Sequence, residues 1–147
     1  MIYAKFTKKA ETALMYAREC AMAFRQPFIG TEHILWGLAK EGTGIAASVL
    51  KTAGINEERI SQKIMELIGS GDDSGQSLSY TPRTKRVLEL SYTEARRMGQ
   101  NFIGTEHILI GIMREGESVA IKILIDLGID IRKLYENIIS MLSEDTP

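Results

Sequence analysis

Two threonine-glutamate-histidine triplets, Thr31-Glu32-His33 and Thr105-Glu106-His107, and one cysteine, Cys20, are the residues here whose types invite a chemical reading. A metal site is the first candidate. It fails on spacing, because neighbouring residues on a helix point about 100° apart and a Glu-His dipeptide cannot grip one ion. No His-Glu-x-x-His occurs. Cys20 has no base constellation to make it a nucleophile, and it aligns internally with Glu94, a position that must therefore tolerate charge. There is no Gly-x-x-x-x-Gly-Lys-Ser/Thr, and Glu41-Gly42-Thr43-Gly44 and Gly69-Ser70-Gly71 lack the lysine of a phosphate loop and read as turns. Catalytic and metal roles are thus assigned to no residue. The carboxylates of Glu32 and Glu106 remain. As first-turn residues they suit the helix dipole behind a capping Thr31 or Thr105; as surface groups they are free to bind something. Residue type alone leaves both readings open.

The two triplets belong to one phrase. Phe28-Ile-Gly-Thr-Glu-His-Ile-Leu35 returns unchanged as Phe102–Leu109, 74 positions on, and the same offset gives 20 identities over the 63 pairs from Phe6/Tyr80 to Ile68/Leu142. This is a tandem duplication. Architecture can hold the isoleucines, leucine and glycine. It does not by itself require an identical glutamate and histidine in copies that elsewhere differ at most positions.

Helical spacing surrounds the phrase. Ala10, Ala13, Leu14, Ala17, Ala21 and Phe24 recur at threes and fours, matched by Val87, Leu88, Ser91, Ala95 and Met98. Thr7 stands as an N-cap, and Thr81 precedes Pro82, a residue favoured at the first helical position. A second helix is expected from Thr31 to about Lys40, a third from Ile45 to Ala53 ending at Gly54, and a fourth capped by Asn56; Gly104, Gly116, Gly128 and Asp130 repeat the punctuation. No strand pattern is evident. The expected fold is all-α: two four-helix modules, residues 1–70 and 80–147, related by a pseudo-twofold axis and forming one compact domain. A Gly/Ser/Asp-rich flexible connector spans 71–79.

Composition narrows the class. A net charge of −1 argues against a nucleic-acid partner, and no apolar run reaches the roughly 18 residues of a membrane span. With one cysteine and no secretion signal, the expected location is the cytoplasm.

The doubled Gly-Thr-Glu-His-Ile-Leu blocks, Tyr80-Thr81-Pro82-Arg83, and Glu41-Gly42 with Glu115-Gly116 resemble the N-terminal domain of Clp/Hsp100 AAA+ unfoldases, most closely the ClpC type. The resemblance runs from Phe6-Thr7 to Leu142. It implies a non-enzymatic docking domain that captures protein substrates and adaptors for an ATPase ring and its peptidase, with ATP bound only in attached AAA+ modules and no cofactor here. It further implies phosphoarginine binding at two equivalent sites, with Glu32 and Glu106 reading the guanidinium and the helix starts at Thr7 and Thr81 facing the phosphate, Lys85 lying near the second. The chemistry is coherent: a carboxylate pairs with a guanidinium through two parallel hydrogen bonds, and helix-start amides suit a phosphoryl group. Departures lie at Thr43, Ile45, Ser118 and Ile121, and at the bulky Pro27, Phe28 and Trp36. Glu11, the internal counterpart of Lys85, would repel phosphate, so the second site is expected to bind phosphate better.

Overall fold

The computed structural model describes residues 5–72 and 78–144. The first module contains helices α1 (Lys8–Ala23), α2 (Thr31–Glu41), α3 (Ile45–Thr52) and α4 (Glu57–Leu67). The second contains α5 (Pro82–Arg97), α6 (Thr105–Glu115), α7 (Val119–Asp126) and α8 (Ile131–Glu144). The expected caps form: the Thr7 hydroxyl accepts from Ala10 N–H at 3.1 Å, Thr81 from Thr84 at 3.0 Å, and Asn56 from Arg59 at 2.9 Å.

Within each module the first two helices cross at backbone contact. The α1 face is paved with Ala10, Ala13, Ala17 and Ala21, all buried, and α2 meets it at Gly37. A methyl at Gly37 would land on the Ala13 carbonyl oxygen and 2.9 Å from the Ala17 nitrogen; at Gly111 it would meet Ser91 Oγ and, at 2.6 Å, the Val87 carbonyl oxygen. Small residues set this interaxial distance, and larger ones (Ile34, Leu35, Leu38, Ile108, Leu109, Ile112) fill the core around it.

The modules interlock rather than abut. Contacts are reciprocal, α2 with α7 and α6 with α3, α3 with α8 and α7 with α4, as a pseudo-twofold axis requires. Short strands, which the sequence did not lead us to expect, clasp the pair. Strand β1 (Lys5–Phe6) runs parallel to β4 (Phe102–Ile103), and β2 (Phe28–Ile29) runs parallel to β3 (Ser79–Tyr80). At two residues each they are too short to show a period of two. Each ladder joins one module's approach to its first helix with the other module's approach to its second. Of the expected connector, residues 73–77 lie outside the described residues. Its flanks are tied down: Gly71 N–H donates to the Phe24 carbonyl at 2.8 Å, Leu78 is buried, and Ser79 already belongs to β3.

Candidate functional site

The repeated phrase is built differently from its sequence reading. Thr31 and Thr105 do not cap α2 and α6; Gly30 and Gly104 do, with extended backbones. The capping side chain is the histidine. His33 Nδ1 accepts from Gly30 N–H and His107 Nδ1 from Gly104 N–H, both at 2.9 Å. Each imidazole therefore carries its proton on Nε2. The histidines are not surface residues: His33 is 1% exposed, and burial pushes its imidazole down to about 4, with His107 lowered for the same reason.

The threonine hydroxyls cross the pseudo-axis. Thr105 Oγ1 accepts from Ala46 N–H at the start of α3, and Thr31 Oγ1 accepts from Ala120 N–H at the start of α7. Helix α7 has its own capping side chain, Ser118, which accepts from Ile121 N–H; Gly44 offers α3 none. Thr105→Val should therefore destabilise the domain by about 1–2 kcal/mol and Thr31→Val by less, measured by urea unfolding. Equal losses would show that the hydroxyls do not act as inter-module caps.

That leaves the glutamates. Their carboxylates fold back over the preceding glycine, so that a methyl at Gly30 or Gly104 would meet Oε1 of Glu32 or Glu106 at 2.5 Å. They are recessed, with side chains 10% and 17% exposed, and each carboxylate lies 4.0 Å from its neighbouring histidine Nε2, too far for a hydrogen bond. Both Nε2–H groups lack a partner. Burial raises the Glu32 carboxyl above the usual carboxylate range, opposed by a hydrogen bond to its own backbone. No cation of the chain pairs with either carboxylate among the described residues.

The strand exchange decides which helix start each glutamate faces. Thr7 N–H donates to the Ile103 carbonyl at 2.9 Å, three residues before Glu106; Thr81 N–H donates to the Ile29 carbonyl at 3.1 Å, three residues before Glu32. The candidate residues are thus brought together across modules, Thr7 with Glu106 and Thr81 with Glu32. A cleft of about 480 Å³ lies at the first, lined by Thr7 and Lys9 of α1, Gly44 and Ser48 around the start of α3, Gly104, Thr105 and Glu106 of α6, and Met141 of α8. Three helix N-termini converge there on one carboxylate. Neither Glu11 nor Lys85 lines it. Lys85 is exposed on the first turns of α5, the helix that Thr81 caps. Lys9, Gly44, Ser48 and Met141 were missed by sequence reasoning. Lys9, two residues past a recognisable N-cap, was the one with a readable signal.

Behind the glutamates the modules diverge. Cys20 is 3% and Glu94 2% exposed, so this position is core, and the thiol is pushed up to about 12 by burial and then by the nearby Glu32 charge. Charge is tolerated at Glu94 because Arg114 Nε donates to it at 3.1 Å and Arg97 lies 3.9 Å away. Among the described residues no group of three potential metal ligands occurs, and no helix is long and apolar enough to cross a membrane.

Two helical modules that complete each other's helix starts, and hold recessed carboxylates there, define a double-repeat helical recognition domain. The chain belongs to the Clp repeat (R) N-terminal domain family, whose model matches residues 5–127. It is 43% identical over 145 residues to the negative regulator of genetic competence ClpC/MecB of Bacillus subtilis, covering 99% of this chain and 18% of that one. To the ATP-dependent Clp protease ATP-binding subunit ClpC of Staphylococcus saprophyticus it is 44% identical over 142 residues, 97% of this chain and 17% of that one. The chain therefore spans under a fifth of the length of these curated relatives. Its fold matches the N-terminal domain of ClpD from Arabidopsis thaliana with a TM-score of 0.80 at 22% identity, covering 96% and 99% of the two chains. The ClpV N-domain solved with a VipB peptide matches at 0.71 and 18%, covering 97% and 89%. The AAA+ region of such subunits is not part of this chain, which carries their binding domain.

Proposed function

We propose that this domain captures protein substrates and adaptors for a ClpC-like ATP-dependent unfoldase in the cytoplasm, and that it reads phosphoarginine at two pseudo-equivalent sites. Glu106 with Thr7 forms one site; Glu32 with Thr81, and Lys85 beside it, forms the other. The ATPase ring and peptidase to which substrates pass belong to the same reading, supported by the names of the relatives. The ClpV N-domain's peptide complex supports docking of polypeptide on this fold.

The observation that carries the reading is the cleft in which one unpaired carboxylate meets three helix starts. A phosphoarginine has a guanidinium for the carboxylate and a phosphoryl group for the amides, so both charges are met in one pocket. Binding also offsets the cost of a buried, unpaired anion at Glu32. Because the ligand recruits the ionised carboxylate, affinity at that site rises with pH through the carboxyl's raised titration range.

The competing reading, an adaptor-docking module whose Thr-Glu pairs serve only as caps, has less support. Helices α2 and α6 are capped by histidine nitrogens, and of each pair only the threonine hydroxyl caps a helix, that of the opposite module. Glu32→Ala and Glu106→Ala should each weaken phosphoarginine binding at their own site roughly 10–100-fold, the worth of a charge-assisted pair. They should alter stability by under about 1 kcal/mol. Calorimetric titration of free phosphoarginine, with thermal unfolding alongside, separates the readings. Equal binding by the double variant, or a large loss of helix stability, would overturn the phosphoarginine site.

A further inference from the structure

Glu106 borders two cavities. Beyond the helix-start cleft lies a second, of about 360 Å³, lined by Met98 and Gln100 after α5, Glu106 and His107 of α6, and Ile139, Leu142 and Ser143 of α8. The last turns of α8 form the partition, Met141 lining the first cavity and Leu142 the second. The second cavity holds no cation. Met98, Ile139 and Leu142 make its wall mainly apolar, with Gln100 and Ser143 at hand and His107, whose Nε2–H is unpartnered, beside the shared carboxylate.

Resting on the phosphoarginine reading of Glu106, we infer that this second cavity receives an apolar side chain of the same polypeptide, next to the marked arginine. An arginine whose guanidinium sits on Glu106 with its phosphate towards Thr7 leaves its backbone outside the helix-start cleft. The cavity on the other side of the partition shares the Glu106 carboxylate with the cleft, and it is open to the adjacent residue of that polypeptide. Met98, Ile139 and Leu142 offer a neighbouring aliphatic residue burial that an acidic residue beside Glu106 would be denied.

The duplication says which site has this preference. At the corresponding place in the first module Phe24 replaces Met98 and lies 6.5 Å from the His33 ring, so an aromatic ring stands against the histidine. The Glu106 site thus selects marked arginines in an apolar context, while the Glu32 site does not.

The test uses fluorescence anisotropy on the Glu32→Ala protein, so that only the Glu106 site reports. Three labelled peptides carry phosphoarginine flanked by glycine alone, by leucine before it, or by leucine after it; free phosphoarginine competes as reference. One leucine peptide should bind roughly tenfold tighter than the glycine peptide. Met98→Phe, which installs the first module's residue, should abolish that advantage and leave free phosphoarginine unchanged. Ile139→Asp, with helicity checked by circular dichroism, should do the same. If free phosphoarginine binds but all three peptides bind equally, the inference is wrong and the phosphoarginine reading stands. A leucine advantage surviving both folded variants also overturns it. If neither peptide nor free phosphoarginine binds, the phosphoarginine reading fails and the inference with it.

Discussion

Gly37→Ala should destabilise the domain by about 3 kcal/mol or more, lowering the unfolding midpoint by roughly 10 °C. By helix propensity the change is favourable by about 1 kcal/mol, since alanine is the better residue inside a helix. The packing term has the opposite sign and is larger. The new methyl would overlap the Ala13 carbonyl oxygen and crowd the Ala17 nitrogen, both backbone atoms of α1 that cannot swing aside. Relief requires α1 and α2 to separate along their whole contact, loosening Ala10, Ala17, Ile34 and Leu38 together. Gly111→Ala should behave alike, eased slightly because Ser91 Oγ can rotate while the Val87 carbonyl cannot. Gly99→Ala is the control: φ is +74° with nothing within 4 Å of a new methyl, so only about 1 kcal/mol of left-handed strain is expected. A Gly37→Ala protein melting within 2–3 °C of the parent, roughly the shift of 1 kcal/mol, would refute backbone-contact packing.

Stability should also fall between pH 7 and pH 5, with the histidine caps as the cause. His33 titrates near 6.5 when unfolded and is pushed down to about 4 in the fold. A lowered base contributes stability that is present above its unfolded value and lost as pH falls through its folded one, because the unfolded chain takes up the proton first. At pH 5 this loss is about 2 kcal/mol for His33, and His107 adds to it in the same direction. Glu32 opposes it. Its raised carboxyl contributes stability below the ordinary carboxylate range that is lost as pH rises. His33→Gln separates the terms, since a glutamine at the third helical position can still accept from the N-cap amide but does not titrate. Its urea midpoint should fall less steeply from pH 7 to 5 than the parent's. Parallel pH profiles for the two proteins would show that His33 is not the buried neutral group responsible.

How far residues announce such roles depends on whether the role is local. Thr7, Thr81 and Asn56 each cap the helix directly after them, and a cap is a matter of three residues. The same local logic misassigned Thr31. A threonine before an apolar run reads as an N-cap, yet its acceptor is spent on Ala120, 89 residues away, while the cap is a histidine nitrogen reaching back to a glycine amide. The histidine and threonine identities therefore have structural causes that only the folded pair displays. Glu32 and Glu106 acquire no such cause: among the described residues no cation pairs with either, and they stay the residues on which a functional reading rests.

By itself the sequence determined the duplication, the eight helices, most of their punctuation, and Glu32 and Glu106 as the candidate residues, because periodicity, capping and glycine turns act over a few residues. Only the tertiary structure decided which helix start faces which glutamate. Four strands of two residues each cross-connect the modules, so Thr7 belongs with Glu106 and Thr81 with Glu32. Pairing at that length has no pattern to read. It is fixed by how two copies of one module bury their common face about a twofold axis, and that packing sets the composition of each site.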